Sequence, residues 1–86
     1  MNIFISGVAG FIGYHFAKRI SKNKKYKIYG CDSLNSYYDV SLKKSRIKDL
    51  TEKTKNFSFV KFNLKNNRKL KNLFKKKKID VVIHLA

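Results

Sequence analysis

The sequence contains no Pro, no Trp and a single Cys, Cys31. One cysteine cannot build an internal disulfide framework, which is typical of a protein from a reducing compartment. No run of about 18 apolar residues is present, so no membrane-spanning helix is expected. The N-terminus enters an apolar, strand-like segment directly, without the basic start and small-residue cleavage site of a secretory signal. We therefore expect a cytoplasmic protein with no membrane partner.

Acidic residues are also scarce, because five Asp and Glu face 21 Lys and Arg and leave a net charge of +16. Such a charge is one mark of a nucleic-acid-binding protein. However, Arg is rare beside Lys, and Asn, Ile, Tyr and Phe are plentiful, as A- and T-rich codons would produce. The basic residues form no stripe, and the densest run, residues 75–78, falls where a solvated turn is expected. We interpret the charge as compositional and expect no specific nucleic-acid partner, although the field still attracts phosphate-bearing ligands.

A glycine-rich turn organises the 86 residues, which suffice for one small domain. Residues 2–6 predict a buried strand, Gly7, Gly10 and Gly13 follow at steps of three, and residues 11–21 predict a helix. This is the layout of a dinucleotide-binding fingerprint. Its first glycine takes a positive φ, its second lets the backbone approach a pyrophosphate, and its third packs the helix on the strand. The helix N-terminus then faces the phosphates. The alternative is a turn that only connects a strand to a helix.

The rest of the chain alternates predicted strands and helices. Further strands are predicted over residues 26–31, 57–62 and 79–85, and further helices from Asp39 or Ser41 to Lys53 and from Asn66 or Asn67 onward. The predicted buried positions of the three helices are Ile12, Phe16, Ala17 and Ile20, then Leu42, Ile47 and Leu50, then Leu70, Leu73 and Phe74. Right-handed crossovers turn this βαβαβαβ order into a parallel sheet of strand order 3-2-1-4. The predicted fold class is α/β, the N-terminal part of a doubly wound, Rossmann-type fold, with the third helix alone on the second face.

Asp32 closes the second predicted strand, 19 residues after Gly13. The fingerprint places an acidic residue about 20 residues on, where it accepts hydrogen bonds from the adenosine ribose. A carboxylate there repels a 2′-phosphate, so NAD is expected rather than NADP. The alternative is an ordinary Asp in an exposed turn. Because strand, glycines, helix, strand and acid agree in order and spacing, we predict an NAD-binding half-domain over residues 1–86.

These residues, together with His84-Leu85-Ala86 at the end of the fourth predicted strand, resemble the extended short-chain dehydrogenase/reductase family. Within this family, the resemblance is to the NAD-dependent sugar-nucleotide epimerases and dehydratases. Within that group, residues 32–43 followed by Arg46 look most similar to UDP-glucuronate 4-epimerases, and the resemblance covers only the front part of such an enzyme. It implies an isomerase that binds NAD and a nucleotide sugar, transiently oxidises C4 of the sugar, and forms a homodimer.

By that resemblance, the cofactor-binding residues form four groups along the dinucleotide. They are Gly7, Gly10, Phe11, Ile12 and Gly13 at the pyrophosphate, Asp32, Ser33, Leu34 and Asn35 around the adenosine ribose and phosphate, Asn63 and Leu64 at the adenine, and Leu85 and Ala86 beside the nicotinamide. The family usually carries Asp where this chain has Asn63. The amide oxygen of Asn63 still offers an acceptor to the adenine amino group, without the charge.

The family's catalytic Tyr-x-x-x-Lys pair lies beyond the fourth strand, so we expect these 86 residues to be inactive by themselves. Tyr14 and Lys18 match that spacing, but they fall in the predicted phosphate-binding helix, and no catalytic or metal-binding residue is assigned. His84 is interpreted as a packing residue at a strand end and Cys31 as a small core residue. The alternatives are another sugar-nucleotide epimerase or dehydratase, a stand-alone nucleotide-binding module, and a basic nucleic-acid-binding protein.

Overall fold

Seven elements alternate along the chain in a computed structural model that describes residues 1–32, 40–61 and 67–85. They are β1 (Asn2–Ser6), α1 (Phe11–Ile20), β2 (Lys27–Asp32), α2 (Val40–Lys53), β3 (Phe57–Lys61), α3 (Asn67–Lys77) and β4 (Val81–His84). The predicted order of strands and helices is confirmed. Of the alternative N-caps, Asp39 and Asn66 lie outside the described residues. No helix in the described ranges is long and apolar enough to cross a membrane.

The four strands form one parallel sheet in the order β3-β2-β1-β4, as predicted. Ser6, the last residue of β1, lies opposite Cys31 of β2 and His84 of β4. The carboxyl ends of these three strands therefore meet at one edge, where ligands bind in open α/β sheets. The strand β4 lies at the side of the sheet, and its Val82 is 52% exposed.

Side chains alternate across the sheet and build a core on each face. The larger core, beneath α1 and α2, contains Ile3, Ile5, Val8, Ala17, Ile28, Leu50 and Phe57. The core beneath α3 contains Phe4, Tyr29 and Cys31, against which Val60, Leu70, Leu73, Phe74 and Ile79 pack. The prediction that the third helix covers the second face is confirmed. Cys31 is 1% exposed, which confirms a core cysteine, and burial raises the pKa of its thiol to about 11.

The prediction that Ile12 belongs to the buried face of α1 is wrong, because its side chain is 68% exposed. The helix contacts the strand below through Gly13 and Ala17, both buried. One residue turns an α-helix by about 100°, so the close approach at Gly13 rotates Ile12 into solvent. The other predicted positions, Phe16 and Ile20, do pack against the core.

In α2 the predicted position Leu42 is also wrong, since it is 49% exposed. Lys43 takes its place and is 8% exposed, on the same face as the fully buried Leu50. A lysine in an otherwise polar helix is expected to face solvent. The pattern of apolar residues therefore predicted a buried face of α2 that is shifted by one residue from the observed one. The displacement matters because it carries Lys43 to the carboxyl edge of the sheet.

A polar bridge joins α1 to α2 beside the larger core. The Tyr14 hydroxyl donates a hydrogen bond of 2.5 Å to Asp49 Oδ2, and Lys18 Nζ and Lys53 Nζ lie 3.4 Å and 2.8 Å from the same carboxylate. The Lys53 ammonium and the Tyr14 hydroxyl hold the pKa of Asp49 well below its usual range. Tyr14 and Lys18 are therefore committed to a bridge between two helices.

This bridge predicts a dependence of stability on pH. A carboxyl whose pKa is lowered on folding stabilises the folded state above its unfolded pKa of about 3.9, and this is lost as the pH falls toward the folded pKa. We expect Asp49→Asn to lower the free energy of unfolding at pH 7, and the gap from wild type to shrink progressively below about pH 4. Urea unfolding at a series of pH values measures it. Glu52→Gln, on the exposed side of the same helix, is the matched control. A gap that persists unchanged at the lowest pH would contradict the assignment.

Candidate functional site

The glycine turn between β1 and α1 is fastened to the neighbouring strand. The N–H groups of Gly7 and Val8 donate to the carbonyl oxygen of Cys31 at 2.9 Å and 3.2 Å, and the Gly10 N–H donates to the Gly7 carbonyl at 3.1 Å. Gly7 has a φ of 73°, the left-handed conformation that glycine adopts without strain. The predicted tight turn at Gly7 is therefore present, and its backbone is held in place.

The second and third glycines differ in what surrounds them. A Cβ on Gly13 would lie 2.2 Å from the Gly7 carbonyl oxygen, so the close helix–strand packing predicted for Gly13 is confirmed. A Cβ on Gly10 would meet only that same oxygen, at 3.3 Å. The protein's own packing therefore demands a glycine at position 13, whereas at position 10 it leaves room that a ligand can occupy.

The N-terminus of α1 opens onto this turn without a side-chain cap. Gly10 is the N-cap, and the first turn carries no acidic residue. The N–H groups of the first helical residues have no acceptor within a helix, so Phe11, Ile12 and Gly13 present donors here. The side chains of Phe11 and Ile12 are 66% and 68% exposed, which leaves the approach to these donors open. Such an end fits an anion such as a pyrophosphate.

Asp32 lies beside the glycine turn and is only 7% exposed. Its Oδ2 accepts a hydrogen bond from the Ala9 N–H at 3.1 Å, and its Oδ1 accepts one from Lys43 Nζ at 3.3 Å. The alternative of an ordinary exposed Asp is therefore wrong. An ionised carboxylate only accepts hydrogen bonds, which makes it the kind of group to which ribose hydroxyls donate.

Two cations of α2 reach the site, and sequence reasoning assigned neither to it. Lys43 pairs with Asp32, while Arg46 donates from Nη1 to the Ala9 carbonyl at 3.0 Å. The Arg46 guanidinium also lies 5.9 Å from the centre of the Phe11 ring. The sequence feature that could have identified Lys43 and Arg46 is their spacing relative to Leu50, because positions 43, 46 and 50 lie on one face of a helix. Through these two side chains, α2 holds both the acid and the turn.

At the end of β4, the Leu85 N–H donates to the carbonyl oxygen and to Oγ of Ser6, at 3.1 Å in both cases. Ser6 Oγ is fully buried and lies 2.6 Å from His84 Nδ1. The predicted packing role of His84 is thus replaced by a hydrogen bond across the strands, with its side chain exposed. Leu85 itself is 39% exposed beside the turn.

The structure thus brings seven predicted cofactor-binding residues to one edge of the sheet. They are Gly7, Gly10, Phe11, Ile12, Gly13, Asp32 and Leu85. Six others, Ser33, Leu34, Asn35, Asn63, Leu64 and Ala86, lie outside the described residues. Among the residues that are described, no group of three or more His, Cys, Asp or Glu is placed to hold a metal ion.

The parallel sheet, the glycine turn and the buried acid together define a Rossmann-type nucleotide-binding unit. The family model of GDP-mannose 4,6 dehydratase matches residues 4–86, and the chain belongs to this family. The resemblance to the NAD-dependent epimerases and dehydratases is thereby confirmed.

Individual relatives narrow the comparison. A UDP-glucuronate 4-epimerase of Thermodesulfobacterium geofontis is 42% identical over 95% of this chain and 25% of its own length. The crystal structure of UDP-glucuronic acid 4-epimerase from Bacillus cereus, in complex with UDP-glucuronic acid and NAD, matches 100% of this chain and 26% of its own at a TM-score of 0.85 and 36% identity. The dTDP-glucose 4,6-dehydratase of Bacillus anthracis, in complex with NAD, matches 100% of this chain and 26% of its own at a TM-score of 0.84 and 29% identity. The chain spans about a quarter of the length of the curated relatives it matches.

Proposed function

We propose that this chain binds NAD along the carboxyl edge of its sheet, as the cofactor-binding part of a UDP-glucuronate 4-epimerase. The observation that carries the proposal is the hydrogen bond from the Ala9 N–H to Asp32. It places the acid suited to a ribose directly against the turn suited to a pyrophosphate. In the proposed site, the acid for the ribose and the turn for the pyrophosphate are therefore already in contact.

In this proposal the pyrophosphate lies over Gly10 and the exposed N–H groups of α1, where the helix dipole favours negative charge. The adenosine ribose donates to Asp32, whose position is maintained by Ala9 and Lys43. The nicotinamide half extends along the end of β4 toward Leu85. The neighbours from Bacillus cereus and Bacillus anthracis, both solved with NAD, support this arrangement.

The chemistry of the whole enzyme would be oxidation at C4 of the sugar, with hydride passing to bound NAD, and its return to the other face of the sugar. Removal of the proton from the C4 hydroxyl would require a Tyr-x-x-x-Lys pair that lies outside the described residues. Tyr14 does not serve, because its hydroxyl donates to Asp49 in the bridge between α1 and α2. We further propose a cytoplasmic homodimer without membrane or specific nucleic-acid partners, on the strength of the family and the buried free Cys31.

A second candidate is a sugar-nucleotide 4,6-dehydratase, which the description of the matching family model favours. The two candidates predict different products from a folded protein that contains residues 1–86 and the catalytic pair. Epimerisation converts UDP-glucuronate into its C4 epimer, whereas 4,6-dehydration acts on a sugar nucleotide with a C6 hydroxyl, which leaves as water, and yields a 4-keto-6-deoxy sugar. Product analysis by NMR distinguishes them. A polypeptide limited to residues 1–86 is expected to show no turnover of either kind, and measurable turnover in it would refute the assignment of Tyr14.

The role of Asp32 gives a direct test of the proposed site. Asp32→Ala removes the acceptor for the ribose hydroxyls and leaves Lys43 without its carboxylate partner. We expect NAD affinity to fall by about 1–3 kcal/mol, or about 5- to 150-fold, the range for losing hydrogen bonds to a charged group. Isothermal titration of NAD measures the change.

Glu52→Ala is the matched control, because it removes one negative charge from an exposed position of α2. It should leave NAD affinity unchanged. Equal NAD affinity in wild type and in the Asp32 variant would refute the assigned role of this carboxylate. Absence of NAD binding by the folded wild type would refute the proposed function itself.

A further inference from the structure

A second concave site lies at the amino-terminal edge of the sheet, on the opposite side from the glycine turn. This open surface depression, of about 630 Å³, is bounded by the C-terminal ends of α1 and α2 and by the start of β2. Its volume lies within the range of small-molecule sites, about 300–1,000 Å³. Six lysines line it, and we call them the lysine basin: Lys18, Lys22, Lys24, Lys27, Lys53 and Lys55.

The charges of the lysine basin are poorly compensated. Lys18 and Lys53 share the single carboxylate of Asp49, at 3.4 Å and 2.8 Å. Within the described ranges, the basin's other four lysines pair with no carboxylate. Like charges gathered around a concave surface raise the local potential and attract an anion of high charge density.

The backbone that carries these lysines is anchored before any ligand arrives. The side-chain amide of Asn56 donates to the carbonyl oxygens of Ser21 and Tyr26, at 3.1 Å and 2.8 Å. The Lys27 N–H donates to the Met1 carbonyl at 2.8 Å. A ligand that binds here therefore orders lysine side chains but does not have to order the loop, which lowers the entropy lost on binding.

Lysines near helix C-termini often only offset the helix dipole. That explanation covers Lys18 and Lys53, which lie in the last turns of α1 and α2. It does not cover Lys24, Lys27 and Lys55, which lie outside the helices. Asn56, moreover, already satisfies carbonyl groups that follow α1. The helix dipole therefore does not account for the convergence of all six lysines on this concavity.

We propose that the lysine basin binds an oligophosphate anion, a chain of three or more linked phosphates, either free or carried by a nucleotide. Lysine ammonium groups bind phosphate oxygens as mobile point charges and need no fixed bidentate geometry. A short phosphate chain concentrates several negative charges within a cavity of this size. A nucleic-acid duplex instead needs a stripe of cations along an open surface, and the basin is a single concavity. The site is separate from the proposed NAD site, at the other edge of the sheet.

The test measures binding of inorganic tripolyphosphate by calorimetry, at physiological salt, to a folded protein that contains residues 1–86. In the basin variant, Lys22, Lys24, Lys27 and Lys55 are all replaced by Gln. The matched control replaces four exposed lysines elsewhere by Gln: Lys44, Lys71, Lys75 and Lys76. Both variants lower the net charge equally. We expect affinity to fall about 30-fold in the basin variant and less than about 3-fold in the control, because only one set of lysines surrounds the ligand.

Equal losses in the two variants would overturn the proposal, because they would show that the overall positive field alone retains the anion. A short DNA duplex whose affinity depends on the basin more strongly than that of tripolyphosphate would also overturn it. The affinity for ATP, compared with that for tripolyphosphate, distinguishes the two sources of the phosphate chain. Equal affinities indicate that the phosphates alone are recognised, and tighter binding of ATP indicates a nucleotide ligand. Either ATP result supports the proposal only if the basin variant also loses affinity for the anion.

Circular dichroism checks that each variant is folded, and a double variant, Lys22→Gln with Lys24→Gln, replaces the quadruple one if that fails to fold. NAD affinity should be the same in wild type and in the basin variant. Because tripolyphosphate and NAD are measured separately, failure of the lysine basin and failure of the NAD site give different results.

Discussion

Gly10→Val is expected to abolish NAD binding while leaving the protein folded. Gly10 has φ −73° and ψ 168°, a conformation that any L-residue adopts. A Cβ there would lie 3.3 Å from the Gly7 carbonyl oxygen, a contact that a small backbone adjustment relieves. The valine methyl groups would instead fill the space in which a pyrophosphate approaches the N-terminus of α1.

The measurement pairs NAD titration with circular dichroism and denaturant unfolding. We expect no detectable NAD binding by Gly10→Val, a helical signal close to wild type, and an intermediate loss of affinity for Gly10→Ala, whose single methyl group intrudes less. Retained NAD affinity in the valine variant would show that the three glycines form only a connecting turn, which is the alternative that the sequence left open.

Gly13→Ala is expected to lower the stability of the fold, and by more than Gly10→Val does. Replacing Gly by Ala inside a helix normally stabilises it by about 1 kcal/mol. Here the new Cβ would lie 2.2 Å from Gly7 O, 2.9 Å from Gly7 C and 3.0 Å from Val8 Cα. All three atoms are backbone, so α1 must move away from β1. Overpacking costs about 1–3 kcal/mol and more where the backbone shifts, a large share of the total stability of a small domain.

The denaturant midpoint measures this loss, and NAD binding should fall with it because the N-terminus of α1 is displaced. Gly30→Ala is the matched control, since a Cβ on Gly30 would meet the side chains of Val8 and Phe57, at 2.8 Å and 2.9 Å. These contacts are with buried side chains rather than with backbone, so stability should fall as well, but by less than for Gly13→Ala. Stability of Gly13→Ala equal to or above that of wild type would contradict the close approach.

The amino-acid sequence determined the architecture of this protein, because the signals for it are local. Hydrophobic periodicity separates strands from helices, and right-handed crossovers then allow one strand order. The positive φ of Gly7 and the packing at Gly13 also follow from sequence, since both are properties of a strand–turn–helix junction within one short segment. Asp32 follows from the nearly constant length of a βαβ unit.

Only the tertiary structure decided how each helix is rotated on the sheet. Periodicity cannot choose between Ile12 and Gly13, or between Leu42 and Lys43, because neighbouring residues differ by about 100° and a helix settles where its backbone approaches the strand most closely. That rotation brings Lys43 and Arg46 to the glycine turn, with Arg46 contacting a residue 37 positions away. The lysine basin likewise joins segments far apart in the chain. Contacts of this kind arise from packing between elements, which local patterns do not encode.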